Sequence, residues 1–409
     1  MWIDLRPLKR NRDFRYAYIG QFISFFGTMM SWVALPYQIY HLTNSTLAVG
    51  LLGVIELVPL LLTAFIGGAL ADVLDRRKLL IRAEIGMAVG CFGLVINAMI
   101  PHPQLWIVYL IAALLSGLSG LHRPSLDALM PRLVSHEEIQ ATSVLAMFRS
   151  TVGMIGGPAV AGVCIASLGL AWTFAFDFLT FLLSIAALMQ VKSMVQSENQ
   201  ERPSLKSVVV AIKYAISRQE LMGTYVIDFV AMVFAMPNAL FPAMAVMLGG
   251  TKALGWLYTA PAIGALIITV FSAWTKKVKR HGAAVAIAAI LWGSSIACVG
   301  LFNHLLMIVF FLILAGAADC VSGIFRTTIW NETIPDKLRG RMASLEMVSY
   351  MSGPLLGSAQ VGFLASMTGT QLAILIGGIL CVVAVCLSIF LLPAFWRYHA
   401  ETSDPCDSV

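Results

Sequence analysis

Apolar residues occur along this chain in long runs that are separated by short polar segments. Each run has about 20 to 27 residues, enough for a helix to cross a hydrocarbon core roughly 30 Å thick. The pattern predicts an all-α integral membrane protein with twelve transmembrane helices. The predicted helices cover residues 16–40, 46–71, 80–100, 105–130, 140–166, 171–191, 220–246, 254–274, 282–302, 305–330, 341–367 and 371–395.

The composition agrees with this pattern, because 59% of the 409 residues are hydrophobic and only 12% are charged. An ordinary soluble domain has about 25% charged residues. The first apolar run lacks a small-residue cleavage site and is too long for a signal peptide, so we interpret it as the first spanning helix. The seven cysteines do not form a cluster with metal-ligand spacing and are interpreted as buried packing residues.

Positively charged residues indicate how the chain is oriented in the membrane. With a cytoplasmic amino terminus, Lys252 is the only cation in a predicted outer loop. This positive-inside pattern places both termini in the cytoplasm, and we expect a multi-pass protein of a bacterial inner membrane. The net charge of +6 then reflects topology and contact with anionic lipid head groups, rather than binding to nucleic acid.

The longest polar interval divides the chain into two predicted halves of six helices each. We expect an N-terminal bundle at residues 1–191, a cytoplasmic central loop at 192–219, and a C-terminal bundle with a short cytoplasmic tail at 220–409. Residues 205–216 alternate apolar and basic side chains, which predicts an amphipathic helix on the membrane surface.

The two halves also repeat each other, since four residues of the first recur in the second at offsets of 203, 204, 196 and 196 residues. The pairs are Arg123 with Arg326, Pro131 with Pro335, Gly157 with Gly353, and Pro158 with Pro354. Two similar six-helix halves are typical of transporters whose substrate site lies near the membrane midplane.

Four segments resemble a known family. They are residues 68–72 with 76–78 (GALAD and RRK), residues 153–162 (GMIGGPAVAG), and two segments near the amino terminus, 15–28 and 36–50. With these segments the chain resembles the major facilitator superfamily, and within it the drug and siderophore exporter branch that includes the enterobactin exporter and the macrolide efflux proteins. The resemblance covers the whole chain and implies the major facilitator fold.

The resemblance also implies that the charged turn after the second helix is a cytoplasmic latch. Asp72 would accept hydrogen bonds from free backbone N–H groups at residues 342–344, the expected start of the eleventh helix. Arg76 or Arg77 would hold Asp72 or Asp75 in place. The chain departs from the family pattern, with a valine where a cation is common and Asp75 where glycine is common. The alternative is a solvated loop that only sets the topology.

The small residues at 153–162 favour close approach of helix backbones, because Gly153 and Gly157 lie one turn apart. Pro158 bends the predicted fifth helix, and the resemblance implies that this segment is an exporter hinge. Gly353 and Pro354 would form a weaker hinge in the second half. The alternative is ordinary helix packing.

Charged residues inside spanning helices are costly and usually face a cavity or a partner. The seventh and tenth helices line the central cavity in the family fold, so Asp228 and Asp319 are the first candidates for coupling to protons or to a cationic substrate. Asp177 could instead cap or pair locally, and for each carboxylate a structural ion pair is the alternative. The other candidates are Glu56, Arg123, Asp127 and Arg149.

Two helical stripes suggest a cavity for a bulky amphipathic ligand. The first helix carries Gln21, Phe25, Thr28 and Trp32 on one face, and the seventh carries Tyr225, Asp228, Met232 and Met236 on one face. Helix packing is the alternative for each of these residues.

Enzyme motifs are lacking: there is no phosphate-binding glycine loop, metal-spaced histidine pair or serine elbow. No cofactor is expected. We expect a monomeric secondary transporter that exports a siderophore-like or drug-like molecule by proton antiport. Many family antiporters carry an arginine in the fourth helix, but residues 105–121 have none, so Arg123 or Arg149 would substitute. The alternatives are an importer, and a non-transporting receptor or scaffold that tolerates Asp72→Ala.

Overall fold

The computed structural model of the chain describes residues 4–73, 75–192 and 213–399; the side chains of residues 65–73 and of most residues from 336 to 348 lie outside that description. Twelve spanning helices follow one another in chain order. They are α1 (Arg12–Thr43), α2 (Thr46–Val73), α3 (Arg76–Met99), α4 (Leu105–Leu129), α5 (Ile139–Ser167), α6 (Leu170–Met189), α7 (Gln219–Phe234 continued by Phe241–Met247), α8 (Thr251–Val270), α9 (His281–Leu301), α10 (Leu305–Thr333), α11 (Asp336–Thr368) and α12 (Thr370–Leu391).

Length and composition agree with a membrane fold for these helices. Among the described residues, eleven helices are long and apolar enough to cross a bilayer. The remaining one, α11, has 33 residues, which is also enough to span a hydrocarbon core. The predicted all-α fold with twelve transmembrane helices is therefore confirmed.

Several helix boundaries differ from the prediction. Helix α11 begins at Asp336 rather than residue 341, and α8 ends at Val270 and is followed by a 3-10 helix, Ser272–Lys277. Helix α7 is interrupted by the 3-10 turn Pro237–Leu240, because a proline has no N–H for the helical ladder. The amphipathic helix predicted at 205–216 falls mostly outside the described residues.

The two sets of six helices pack in the same order. Helix α1 packs against α5 and α6, α2 against α4, and α3 against α4 and α6; each of these contacts recurs between the helices numbered six higher. The turn before α6 and the turn before α12 also match. The backbone angle φ is +89° at Gly169 and +88° at Gly369. Only glycine adopts this backbone conformation without strain. The predicted pseudo-symmetry is therefore confirmed.

An even number of spanning helices brings both termini to the same end of the bundle. We call this the terminal end, and we call the opposite end, where α1 meets α2 and α11 meets α12, the distal end. The charged turn between α2 and α3 lies at the terminal end, as does the 3-10 helix before α9.

Candidate transport site

The two halves meet along two crossings, α2 with α11 and α5 with α8. At the first crossing, a Cβ added to Gly362 would lie 2.6 Å from the Cα of Gly50; at the second, a Cβ added to Gly162 would lie 2.8 Å from the backbone nitrogen of Gly255. Glycines allow this close approach of helix backbones. All four glycines lie in the distal parts of their helices, so this end of the seam between the halves is tightly packed.

A cavity of about 80 Å³ lies beside this packed seam. Both halves line it: Trp32 and Glu56 come from the first, and Asn238, Tyr258 and Ser358 come from the second. The rings of Trp32 and Tyr258 meet edge to face with centroids 5.0 Å apart, and the Tyr258 hydroxyl donates to the Asn238 carbonyl at 3.0 Å. The cavity therefore combines a carboxylate with two aromatic rings.

The second half contains an ion-pair cluster on α7 and α10. Arg326 pairs with Asp228, and its other terminal nitrogen lies 3.9 Å from Asp319. The side chains of Arg326 and Asp228 are each 11% exposed, whereas that of Asp319 is 52% exposed. Asp228 is therefore held in an ion pair, and Asp319 is the more exposed of these two carboxylates.

Aromatic side chains extend this cluster toward the terminal end. Tyr225 of α7 stacks on Trp330 of α10 with ring centroids 5.4 Å apart, and the Trp330 indole N–H donates to the Thr224 hydroxyl at 2.8 Å. This places Tyr225 one turn from Asp228, as the spacing on the seventh helix predicts.

The first half holds its buried carboxylates with neutral donors. Asp177 of α6 is 1% exposed. The Ser31 hydroxyl donates to it, as do the Cys91 thiol at 3.3 Å and the Thr180 hydroxyl at 3.3 Å. In this conformation Asp177 is paired locally, which agrees with the predicted alternative to a coupling role.

A second buried carboxylate, Glu84 of α3, lies in the same half and is 0% exposed. Its Oε1 atom accepts from the Gln21 amide at 2.5 Å and from the Ser184 hydroxyl at 2.9 Å, and lies 3.3 Å from Nε2 of His122. Gln21 is itself 2% exposed. Gln21 thus packs inside the first half in this conformation and does not line the predicted cavity.

Two arginines of the first half face aromatic rings. The Arg149 guanidinium lies 5.9 Å from the ring of Phe25, and the Arg123 guanidinium lies 5.3 Å from the ring of Tyr350 on α11. Such contacts combine an electrostatic attraction with apolar packing. The second contact joins the two halves toward the terminal end.

The predicted stripes on α1 and α7 mostly contact the predicted hinges. A Cβ at Gly153 or Gly157 would meet Phe25 or Met29 of α1, and one at Gly353 or Gly357 would meet Met232 or Met236 of α7. Met232 and Met236 therefore pack against α11, while Thr28 donates to the Ser24 carbonyl of its own helix at 3.0 Å. Of the α1 stripe, Trp32 lines the cavity between the halves.

These contacts shift the repeat by one helical turn. Gly153 and Gly157 contact α1 as Gly353 and Gly357 contact α7, so the equivalent of Gly157 is Gly357 rather than Gly353. Pro158 and Pro354 then lie one turn apart in the two halves. The offset of 196 residues aligns the two Gly-Pro dipeptides, Gly157-Pro158 and Gly353-Pro354. The helix contacts instead align Gly157 with Gly357, an offset of 200.

A family model described as a transmembrane secretion effector matches residues 4–407. The chain belongs to the transmembrane secretion effector family of the major facilitator superfamily. Among its relatives, the enterobactin exporter EntS of Citrobacter koseri is 25% identical over 98% of this chain and 97% of the exporter. EntS of Salmonella paratyphi A is 26% identical over 99% of this chain and 98% of the exporter.

Solved transporters share the fold of this family member. The nucleoside transporter NupG superposes with a TM-score of 0.76 at 13% identity, over 94% of this chain and 99% of that one. A peptide transporter, POT, superposes with a TM-score of 0.75 at 14% identity, over 95% of each chain. These structures agree with the family match, which makes the chain a transmembrane transporter of the major facilitator type.

The charged turn that is predicted to act as a latch is described in part. Asp75 caps α3 by accepting from the backbone N–H groups of Arg77 and Lys78. Arg76 donates to the Ala128 carbonyl at 3.1 Å, and Arg77 donates to the Leu188 carbonyl at 2.9 Å. These arginines therefore bind the ends of α4 and α6. The side chain of Asp72 lies outside the described residues.

The expected partner of the latch needs correction. Because α11 begins at Asp336, residues 342–344 lie beyond its first turn. The free N–H groups of a helix are its first four, so those of 342–344 bond within the helix. If Asp72 binds the N-terminus of α11, the N–H groups that it contacts are those of residues 336–339.

Sequence reasoning missed Glu84 and its partner His122. The signal was present, because Glu84 lies in a 24-residue apolar helix, where a carboxylate is costly. Arg82 lies two residues before Glu84 and close to the terminal end. In the sequence, Glu84 therefore resembles one of the charged residues that flank the helix at that end. Arg326 was noted only as part of the repeat, although the structure places it at the centre of the ion-pair cluster.

Proposed function

We propose that this chain is a secondary transporter that exports a siderophore-like or drug-like amphipathic molecule by alternating access and proton antiport. It would lie in a bacterial inner membrane with both termini, and hence the terminal end, in the cytoplasm. The positive-inside pattern supports this orientation, and the relatives named as enterobactin exporters support the direction and the substrate class.

One observation supports the mechanism most strongly: the backbones of the two halves touch at glycines in the distal parts of both crossings. Rigid helices that touch through small residues can pivot over one another without repacking large side chains. We infer that this conformation is sealed at the outer end and takes up substrate from the cytoplasm, the side from which an exporter is loaded.

Transport would follow from rocking of residues 1–191 against residues 220–395. The hinges at Gly153, Gly157 and Pro158 in α5, and at Gly353 and Pro354 in α11, would accommodate the motion. In the outward-open state the terminal end closes, and Asp72 would then act as the anionic side of the latch, supported by Asp75, Arg76 and Arg77. Phe25, Thr28, Trp32 and Tyr225 would offer aromatic and hydroxyl groups to the substrate.

Proton coupling would use the cluster around Arg326. When Asp319 is ionised, it shares the arginine with Asp228; when Asp319 is protonated, Arg326 and Asp228 pair alone. Because an arginine keeps its charge at any working pH, the exchange of one proton at Asp319 changes the net charge that faces the substrate path. Glu56, Asp177 and Arg149 remain further candidates for coupling.

Transport into everted membrane vesicles tests this proposal. An acid-inside pH gradient should drive accumulation of enterobactin or of an amphipathic dye in vesicles that contain the wild-type chain. Asp228→Asn and Asp319→Asn should each reduce gradient-driven accumulation. If both variants accumulate substrate as well as the wild type does, the assignment of coupling to these residues is wrong. Accumulation by right-side-out vesicles instead would identify an importer.

A further inference from the structure

Glu84 is a buried carboxylate for which the proposed mechanism has no use. It lies eight residues after the start of α3, or about 12 Å into the helix from the terminal end, and is 0% exposed. Its Oε2 atom has no hydrogen-bond partner among the described residues. An unpartnered buried carboxylate oxygen is costly, so a purely structural role explains this side chain poorly.

The donors around Glu84 all approach its other oxygen. Gln21 of α1, Ser184 of α6 and His122 of α4 converge on Oε1. Gln21 and Ser184 do not titrate, and they fix the orientation of the carboxylate. Among these three partners, His122 is the one whose side chain can bind an additional proton.

His122 is also more exposed than the other two partners, since Gln21 is 2% exposed and Ser184 is 0% exposed. Its side chain is 17% exposed, whereas that of Glu84 is 0% exposed. It precedes Arg123, which contacts Tyr350 across the seam between the halves. Movement of α4 against α11 would therefore change the surroundings of His122 during transport.

Other titratable groups on the surrounding helices have partners other than Glu84. Asp177 of α6 accepts from Ser31, Cys91 and Thr180, and the Tyr18 hydroxyl of α1 donates to the Leu145 carbonyl at 2.9 Å. On α4, Asp127 interacts electrostatically with His122, Arg123 and Arg149. On α3 itself, Arg82 lies toward the terminal end and Cys91 bonds to Asp177. His122 is therefore the titratable side chain in contact with Glu84 among the described residues.

We propose that Glu84 and His122 form a second proton-binding site, located in the first half, whose occupancy helps to set which end of the transporter is open. The pair rests on the proposed proton antiport and extends it from the second half to the first. One proton passes from water to the imidazole and is held between the imidazole nitrogen and Oε1 of Glu84. The same proton leaves to water when the halves have rocked, so no other bond forms or breaks.

Transport in proteoliposomes tests the site with enterobactin as the probe. Glu84→Gln keeps the shape of the side chain but cannot ionise. We expect it to reduce accumulation driven by a pH gradient by about tenfold, while exchange of labelled for unlabelled enterobactin without a gradient stays within about twofold of the wild type. His122→Gln should behave in the same way, and Glu84→Asp should restore part of the accumulation.

The second half supplies a matched control. His281 lies 3.5 Å from Glu332 near the terminal end, so Glu332→Gln also breaks a contact between a histidine and a carboxylate, but away from the seam. This variant should accumulate enterobactin as the wild type does. Size-exclusion chromatography and thermal melting of each variant would identify any that fail to fold.

The outcomes separate the site from the proposed function. If the wild type exchanges enterobactin but a pH gradient drives no accumulation, proton antiport itself is wrong. If the wild type accumulates enterobactin and Glu84→Gln does so equally well, the antiport stands and the Glu84 site is wrong. An equal loss of exchange and accumulation in folded Glu84→Gln would also overturn the site, because it indicates a structural role.

A second measurement tests the Glu84 site without substrate, in case the protein does not transport enterobactin. Fluorescent amino acids at Glu137 and Lys279, both exposed at the terminal end, would report the distance between the halves by energy transfer. In the wild type we expect this distance to differ between acidic and neutral buffer, and in Glu84→Gln we expect that difference to be lost. A pH response that is absent from the wild type, or unchanged in Glu84→Gln, would overturn the site.

Discussion

The two halves of this transporter share their helix packing but differ in how they hold buried charge. In both halves, a pair of glycines one turn apart contacts the first helix of that half: Gly153 and Gly157 contact α1, and Gly353 and Gly357 contact α7. Asp177 and Glu84 of the first half are held by hydroxyl, thiol and amide donors and by a histidine. Asp228 and Asp319 of the second half instead share Arg326.

The difference indicates that packing and coupling have separate requirements. Rocking needs the same close helix contacts in both halves, and small residues supply them twice. Charge compensation need not be repeated, because a permanently charged arginine and a titratable histidine respond differently to pH. We therefore expect substitutions at packing residues to act alike in the two halves, and substitutions at charged residues to act differently.

The largest effect is expected from removal of the arginine. Arg326→Met leaves Asp228 and Asp319 without compensation, and breaking a buried ion pair in this way costs about 3–5 kcal/mol. The variant should melt at a lower temperature in detergent and should not transport. The double variant Arg326→Met with Asp228→Asn should recover much of the thermal stability, since the unpaired buried charge is gone. A single variant as stable as the wild type would contradict the central role of Arg326.

Glycine substitutions test the shared packing. Gly157→Val and Gly357→Val would each press a side chain against α1 or α7, and overpacking of this kind costs about 1–3 kcal/mol. We expect the two variants to lose stability and transport to a similar extent. Gly93→Ala is the control, because its Cβ would meet only the flexible end of the Ile111 side chain. Strong loss in one half and none in the other would break the comparison.

A smaller effect is expected at the charged turns. Only the first half has a carboxylate in this turn, since residues 276–281 carry cations without Asp or Glu. An anion at a helix N-terminus contributes about 0.3–1 kcal/mol, so Asp72→Ala should slow transport about twofold to fivefold. Lys279→Ala, in the matching turn of the second half, should have little effect. Equal rates for Asp72→Ala and the wild type would favour a loop that only sets the topology.

The sequence was sufficient to predict the parts of this structure that depend on long apolar runs. Helix number and most helix boundaries follow from hydropathy, because a spanning helix must bury its own backbone and present apolar side chains to lipid. The break in α7 and the early start of α11 were missed. Both have a local signal that hydropathy does not measure, because Pro237 interrupts the hydrogen-bond ladder of α7 and Pro335 directly precedes the first residue of α11.

Residues of the candidate site were harder to predict, because charge partners meet only after folding. Asp228 and Asp319 were identified from their position in apolar runs, but their shared contact with Arg326 requires α7 and α10 to be adjacent. The contacts of Glu84 could not be predicted, because its partners Gln21, Ser184 and His122 come from three other helices. The stripe on α1 was identified as one face, yet its spacing did not reveal that Gln21 is buried while Trp32 lines a cavity.

Proton-coupled export is tested most directly by the metabolites that cells retain. Cells that lack this chain should accumulate an amphipathic small molecule, and expression of the wild-type chain, but not of Asp319→Asn, should transfer that molecule to the medium. Mass spectrometry of cells and medium would measure both pools. A molecule that is depleted in cells lacking the chain, or identical pools with and without it, would contradict export.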